Sequence, residues 1–335
     1  MHSDWKLASV VAGCLLAGCG GGSGSPSAPT PHPQPPPGPP PPPPDTWTLR
    51  AQVVQYATSR PLPGARVAIA GRQPQTADAD GRIEIGADTR PGEIPTPVTI
   101  EADGHLTRRT FLRWDRGERD AVIDLIPGVR PFSATFFRQL LHDTYDLPEA
   151  PEEFRRWTEP PKFYLRTVDQ LGRRVESEVL SMIRRTIPTA VREFTGGLMS
   201  ATIEEGTVAR PPAVGWIDVR VIDDVDEREI CGRAAVGENP GRITFYSDVC
   251  QCGSVKVPPA LVAHEVGHAM GFYHVSHRES VMYPFIKGGC RAARLSADEL
   301  YHGPLAYRRA PGHIAPDTDT DLTPLERGPR REIEN

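Results

Sequence analysis

Five residue types stand at fixed spacings between His264 and His274, in the order His-Glu-x-x-His-x-x-Gly-x-x-His. On a helix, His264 and His268 project from one face because they lie four residues apart. Two imidazole nitrogens can then approach one Zn²⁺ at about 2.0–2.1 Å. Gly271 permits the left-handed turn that ends such a helix and brings His274 round as a third ligand. Three ligands leave a fourth position for water beside Glu265, so the pattern predicts a catalytic zinc site.

The competing interpretation of this segment is an ordinary amphipathic helix with solvated histidines. At average amino-acid frequencies, these five residue types rarely occur at these spacings by chance. The glycine and the third histidine contribute most of the specificity of the motif. Met282 follows His274 by eight residues, within Ser-Val-Met-Tyr-Pro. A lone methionine there would indicate core packing. Paired with the longer motif, it resembles the Met-turn that underlies the metal in metzincins.

Within the metzincins, Met-Tyr-Pro at residues 282–284 is most similar to the matrixins. The resemblance implies one catalytic Zn²⁺, general base and acid catalysis by Glu265, and an S1′ wall formed by Tyr283 and Pro284. It implies three zinc ligands, which are His264, His268 and His274. The other histidines form no upstream cluster like the structural zinc site of a matrixin. The resemblance is therefore to the metzincin clan and its catalytic site, and not to a vertebrate matrixin.

The N-terminal residues resemble a bacterial lipoprotein signal. An apolar run at residues 7–17 is too short to span a bilayer, and Leu-Ala-Gly precedes Cys19 as in a lipobox. The resemblance implies removal of residues 1–18, lipidation of Cys19, and a location in the bacterial cell envelope, at the outer membrane or cell surface. A plain secretory signal is the alternative. Residues 26–44 hold 13 of the 37 prolines, so residues 19–45 are predicted to form an extended tether.

Residues 46–128 alternate short apolar segments with glycine-containing turns, which predicts a small all-β sandwich. Pro-Leu-Pro-Gly-Ala-Arg-Val at 61–67, followed by Ala-Asp-Gly at 79–81 and again at 102–104, resembles the carboxypeptidase regulatory-like modules of exported bacterial proteins. The segment shows no cluster of titratable residues, so we expect it to act as a spacer or in adhesion.

The rest of the chain predicts an α+β metzincin-like zinc protease domain at residues 161–310, reached through a linker at 129–160 with one helix over 136–145. Its elements follow the metzincin order. They are a strand at 162–166, a helix at 168–194 that Pro188 should kink or break, strands at 216–221 and 242–246, an active-site helix opening with two prolines at 258 and 259, and a C-terminal helix capped by Ser296 and Glu299. The fold class is thus multidomain, a sandwich followed by a domain with a twisted mixed sheet. By resemblance, residues 232–236 form an edge strand above the active-site helix. The polar, proline-rich composition of residues 311–335 predicts a disordered acidic tail. Calcium binding by Asp317, Asp319 and Asp321 is the alternative, but the glycine and closing glutamate of an EF-hand loop are missing.

Four cysteines follow Cys19, at positions 231, 250, 252 and 290. In an exported protein they predict two disulfides, and three pairings are open, of which the one that joins Cys250 to Cys252 across one residue is disfavoured. A second metal site is the alternative, although this cysteine spacing is poor for zinc ligands. The net charge of −5 indicates no positively charged surface for nucleic acid, so we expect no nucleic-acid partner.

Together these features predict a zinc metalloendopeptidase that acts on a protein or peptide substrate and is tethered to the membrane by a lipid on Cys19. One alternative is a surface binding or adhesion protein with an inactive protease-like fold. Intact ligands and an intact Glu265 count against it. The other alternative is a zinc hydrolase of a non-peptide bond, since a zinc site with a glutamate base activates water for either reaction.

Overall fold

A computed structural model describes residues 47–87, 96–112, 120–223, 230–284, 294–313, 315–319 and 332–334. In these ranges the chain is a mixed α/β protein with three sheets and four helices, all within one compact unit, Asp45–Asn335. The predicted signal, Cys19 and the proline-rich tether lie outside the described residues. No helix in the described ranges has both the length and the apolar character needed to cross a bilayer.

Seven strands make up the N-terminal part. They are β1 (Trp47–Gln55), β2 (Arg66–Ile69), β3 (Gln75–Thr76), β4 (Arg82–Ala87), β5 (Thr96–Glu101), β6 (Arg108–Leu112) and β7 (Asp120–Leu125). Strands β4, β1 and β7 form one sheet, and β3, β2, β5 and β6 form another. Alternate side chains point inward, so Val53 of the first sheet and Ile100 of the second share one hydrophobic cluster.

The remaining elements form a second and larger core. They are α1 (Ala134–His142), β8 (Lys162–Arg166), α2 (Ser177–Phe194), β9 (Thr202–Gly206), β10 (Trp216–Ile222), β11 (Gly232–Ala235), β12 (Gly241–Tyr246), α3 (Pro259–Ala269), α4 (Ala297–Tyr307) and β13 (Glu332–Glu334). The sheet order is β13-β11-β12-β10-β8-β9. Strands β12, β10, β8 and β9 are parallel, and β11 and β13 each pair antiparallel with their neighbour. Phe194 of α2 stacks on Phe272 after α3 at 4.9 Å between ring centroids, so the two helices share this core.

The prediction that residues 232–236 form an edge strand is wrong. Strand β11 lies inside the sheet, because β13 pairs with its outer side and Ala234 stands opposite Ile333. The pairing joins segments far apart in sequence, and the local pattern of a strand does not reveal such a partner.

Helix α2 is shorter than predicted, because the chain forms a turn before it. The Asp169 carboxylate accepts hydrogen bonds from the backbone N–H groups of Leu171 and Arg173 at 2.9 and 2.8 Å. Such side-chain bonds compete with a helix, which begins only at Ser177. Pro188 lies inside α2 and does not end it. A break at Pro188 is therefore wrong, since the buried face of the helix continues on both sides of the proline, and a kink there stays a prediction.

Part of the predicted disordered tail is packed against the fold. Asp317 is 3% exposed and pairs with Arg309, which is 1% exposed, at 2.9 Å. Arg309 also pairs with Asp124 of β7 at 2.8 Å, and Arg108 of β6 pairs with both Asp124 and Asp319. Buried charges persist when they are paired, and these five residues provide the counterions for one another. The network joins the N-terminal sheets to the chain that follows α4.

Candidate metal centre and active site

Helix α3 carries the first two predicted ligands. Proline suits the first turn of a helix, and Pro259 opens α3 after Pro258 in the N-cap position. His264 and His268 are both fully buried on this helix, with ring centroids 4.6 Å apart. The helix ends before Gly271, whose φ of 106° is the left-handed conformation expected for this turn.

The turn at Gly271 returns His274 to the other two histidines. Its ring lies 5.3 Å from that of His264 and 4.9 Å from that of His268. One nitrogen from each of the three residues lies within 4.8 Å of the others, and all three side chains are buried. His277 is outside this group, with 41% of its side chain exposed and Nδ1 3.4 Å from Asp298. The structure therefore brings together the three histidines that the motif selects.

Each histidine of the cluster uses Nδ1 to contact an oxygen. The acceptors are the Val281 carbonyl for His264 at 2.6 Å, the Phe272 carbonyl for His268 at 2.7 Å, and the Asp146 carboxylate for His274 at 2.9 Å. Carbonyl and carboxylate oxygens only accept here, so each Nδ1 carries the proton and donates. In this tautomer the lone pair is on Nε2, which is therefore the nitrogen able to bind a metal.

The donor set fits Zn²⁺. Burial, and then the neighbouring His264 and His274 rings, lower the pKa of His268 well below its ordinary value, which favours the neutral imidazole that metals require. Three imidazole nitrogens with their Nδ1–H groups held by oxygens are the arrangement that orients histidines around a metal ion.

Glu265 lies next to His264, the first predicted ligand, and is fully buried. Strand β11 passes directly over it, and a Cβ built at Gly232 would overlap the Glu265 carboxylate. Only glycine lets the backbone come this close. The general acid–base candidate is thus enclosed between α3 and the sheet.

The Met-turn lies on the opposite side of α3. Met282 is fully buried, and a Cβ built at Gly267 of the helix would overlap its sulfur. The Met282 carbonyl accepts a hydrogen bond from the Val275 N–H at 3.0 Å, one residue after His274. The turn therefore supports both the helix and the loop that carry the three histidines.

Glu299 is a site residue that the sequence reveals only as a helix cap. It forms the predicted capping box with Ser296 at the start of α4. It is also fully buried, and its carboxylate accepts hydrogen bonds from the Ser280 hydroxyl at 2.6 Å and the Met282 N–H at 3.0 Å. Nothing in a capping-box pattern indicates this second contact.

Asp146 is the other residue missed from the sequence. It lies in the segment predicted as a linker, between α1 and β8, yet it contacts the third histidine. A single aspartate in a turn gives no signal of its own, since the contact joins residues 128 positions apart.

The remaining predicted site residues follow the Met-turn. Tyr283 and Pro284 are both partly buried, and the Tyr283 N–H donates to the Ser280 carbonyl at 3.3 Å. Their role in an S1′ wall stays a prediction. Lipidation of Cys19 also stays a prediction, because that residue lies outside the described ranges.

One disulfide closes the region before α3. Cys231 pairs with Cys250 across a Cα–Cα distance of 5.2 Å, which is one of the pairings left open by the sequence. Cys252 is also disulfide-bonded. Cys231 directly precedes Gly232, so the bridge fixes the strand that covers Glu265.

Residues 256–302 match the family model described as Matrixin. No curated protein matches the chain significantly. Among solved structures, the crystal structure of metalloproteinase-II from Bacteroides fragilis matches with 12% identity and a TM-score of 0.32, over 76% of this chain and 84% of that one.

The matched segment contains the three histidines, Glu265, the Met-turn and the first half of α4. Together with the histidine cluster, it supports a metzincin-like metalloprotease domain in this protein. Within that class, the chain is similar to the matrixins in this segment.

Proposed function

We propose that this protein is a zinc-dependent endopeptidase, with Zn²⁺ held by His264, His268 and His274. The observation that carries the proposal is the cluster of three buried imidazoles beside a buried glutamate. One candidate metal-binding nitrogen from each imidazole lies within 4.8 Å of the other two. Bound there, Zn²⁺ supplies Lewis acidity towards water and a scissile carbonyl.

In this proposal Glu265 moves the protons. It accepts a proton from the attacking water and then delivers it to the nitrogen of the leaving amine. Helix α3 and strand β11 enclose the Glu265 carboxylate and so fix its orientation. Tyr283 and Pro284, which follow directly on the Met-turn, line the S1′ side of the cleft.

Metal analysis beside a cleavage assay tests the assignment. Casein hydrolysis should stop when a chelator removes the metal and return when Zn²⁺ is added. Glu265→Ala should keep the zinc and lose about 10²–10⁴-fold in rate, because proton transfer by a placed group contributes that much. His264→Ala should lose zinc as well as activity.

His277→Ala is the matched control, since this histidine lies outside the cluster, and it should retain both zinc and activity. Full turnover in Glu265→Ala would contradict the proton-transfer role. A zinc-loaded protein that cleaves no peptide in a diverse library, but hydrolyses a non-peptide ester or amide, would replace the endopeptidase assignment with another hydrolase activity.

The proposal includes a lipid anchor at Cys19, supported by the Leu-Ala-Gly-Cys sequence before a proline-rich segment. Multiple acyl chains hold a protein at a membrane stably. Cys19→Ser should therefore shift the protein into the soluble fraction of expressing bacteria. Unchanged membrane association of that variant, measured by fractionation, would contradict the anchor.

A further inference from the structure

Helix α1 and the turn after it hold the loop that carries the third histidine. The Leu140 carbonyl accepts a hydrogen bond from the Tyr273 N–H at 2.8 Å. The Gln139 side-chain oxygen accepts from the Ser276 N–H at 3.1 Å and from its hydroxyl at 3.0 Å. The loop is thus fixed on both sides of position 274 by residues from the segment predicted as a linker.

Asp146 completes this contact. Its Oδ2 lies 2.9 Å from Nδ1 of His274, whereas the corresponding Nδ1 atoms of His264 and His268 contact backbone carbonyls. A carboxylate carries a full negative charge and a carbonyl does not. The charged acceptor therefore holds the Nδ1–H of His274 and fixes the orientation of its imidazole.

We propose that Asp146 is a positioning residue that orients His274 and strengthens its bond to the metal. This inference rests on the proposed zinc site. The metal it concerns is bound by the histidines, and Asp146 acts on it only through the imidazole of His274.

The packing around Asp146 supports a positioning role. Helix α1 is anchored by the buried side chains of Phe137, Leu140 and Leu141. Asp143 ends the helix in the left-handed conformation, with φ of 55°, and its carbonyl accepts from the Leu147 N–H at 2.8 Å. Asp146 is thus presented from a turn with a defined shape, and only 23% of its side chain is exposed. A held side chain loses little further freedom when it binds its partner.

The experiment compares zinc affinity in the full-length protein and in single variants, using competition with a chromophoric chelator. Asp146→Asn removes the charge and keeps the size, and Asp146→Ala removes the acceptor. Loss of an outer-shell partner typically costs about 10–100-fold in metal affinity, so we expect Asp146→Ala at the upper end of this range and Asp146→Asn at the lower end. Asp146→Glu should recover part of the affinity lost in Asp146→Ala.

Glu149→Gln is the matched control, because it removes a carboxylate from the same turn region at an exposed position. It should bind zinc like the wild type. The absorption spectrum of the Co²⁺-substituted protein gives a second readout, since a reoriented His274 changes the ligand field while unrelated destabilisation does not.

Equal zinc affinity and equal Co²⁺ spectra in wild type and Asp146→Ala would overturn the positioning role. That outcome leaves the endopeptidase proposal intact. If instead the wild type binds zinc but cleaves no peptide, the endopeptidase proposal fails, while the affinity difference between wild type and Asp146→Ala still decides the role of Asp146.

Discussion

The carboxylate of Glu299 accepts a hydrogen bond from the backbone N–H of Met282 at 3.0 Å, so the first turn of α4 holds the Met-turn in place. The same carboxylate accepts from the Val281 N–H at 3.2 Å. The Val281 carbonyl in turn accepts the Nδ1–H of His264 at 2.6 Å. A buried acid at the start of α4 is therefore linked through one peptide unit to the first histidine of the cluster.

Glu299→Gln should lower both stability and zinc affinity. An amide offers one accepting oxygen, and its NH₂ group would face N–H groups that need acceptors. Leaving a buried donor unsatisfied costs about 1–3 kcal/mol, so the free energy of unfolding should fall by about that amount in urea titrations. Weaker zinc binding is expected because the Val281 carbonyl loses its support.

Glu178→Gln provides the comparison for this change, because Glu178 lies in the first turn of α2 and is exposed. Its unfolding midpoint in urea should equal that of the wild type. If Glu299→Gln did so as well, the link between α4 and the Met-turn would contribute no stability.

The histidine cluster could be predicted because its geometry is local. His264, His268 and His274 fall within eleven residues, and helical spacing plus one glycine turn places them together. The capping box of α4 is predictable for the same reason, because Ser296 and Glu299 lie three residues apart. Asp146 and Glu299 reach the site through contacts between distant segments, and single residues carry no sequence signal for such contacts.

The errors have the same physical origin. A strand pattern at residues 232–235 cannot show that residues 332–334 will pair with it. The acidic composition of the last residues indicates disorder, but Asp317 pairs with the buried Arg309, which also pairs with Asp124. In each case a tertiary partner decides the structure, and composition alone does not identify it.

Gly232→Ala tests how closely β11 must approach Glu265. An added Cβ would overlap the Glu265 carboxylate, so that side chain or the strand must shift. A misplacement of about 1 Å at a reacting group can cost about 10²-fold, and kcat/KM for a peptide should fall by that order. Zinc content should remain at the wild-type level, since none of the three histidines is touched.

Gly86→Ala is the control, because a Cβ at this strand position in β4 meets no atom within 4 Å. It should leave kcat/KM unchanged. Wild-type activity in Gly232→Ala would show that the Glu265 carboxylate is not confined by the strand.

Because His313 is buried, we expect the folding stability of the protein to fall in acid. Burial, and then the charges of His142, Arg309 and Arg156, lower its pKa to about 3. The unfolded chain takes up a proton near pH 6.5 and the folded chain does not, so folding stability falls as the pH drops below about 6.5 towards 3. Between pH 7 and pH 5 this single group should cost about 2 kcal/mol.

His313→Phe should reduce that pH dependence. The ring lies among Phe137 and Phe154, with centroid distances of 5.9 and 5.3 Å, so an apolar ring of similar size suits the site. Urea unfolding at pH 7 and pH 5 measures the difference. His105→Phe, a change at a partly exposed histidine, should keep the wild-type difference. An identical acid sensitivity in His313→Phe and wild type would assign the effect to other groups.

Strand β13 should limit access to the strand above Glu265. It pairs antiparallel with β11, with Glu332 opposite Ala235 and Ile333 opposite Ala234, and so uses backbone groups that an extended peptide would otherwise find unpaired. A variant lacking residues 332–335 should therefore show a lower KM for peptides, with little change in kcat because Glu265 and the three histidines are intact. Ile333→Pro should act in the same direction, since proline cannot donate to a ladder, and Ile333→Val should behave as wild type. Peptide cleavage measured over a range of substrate concentrations separates KM from kcat. An unchanged KM in both the truncated protein and Ile333→Pro would mean that substrate does not compete with β13.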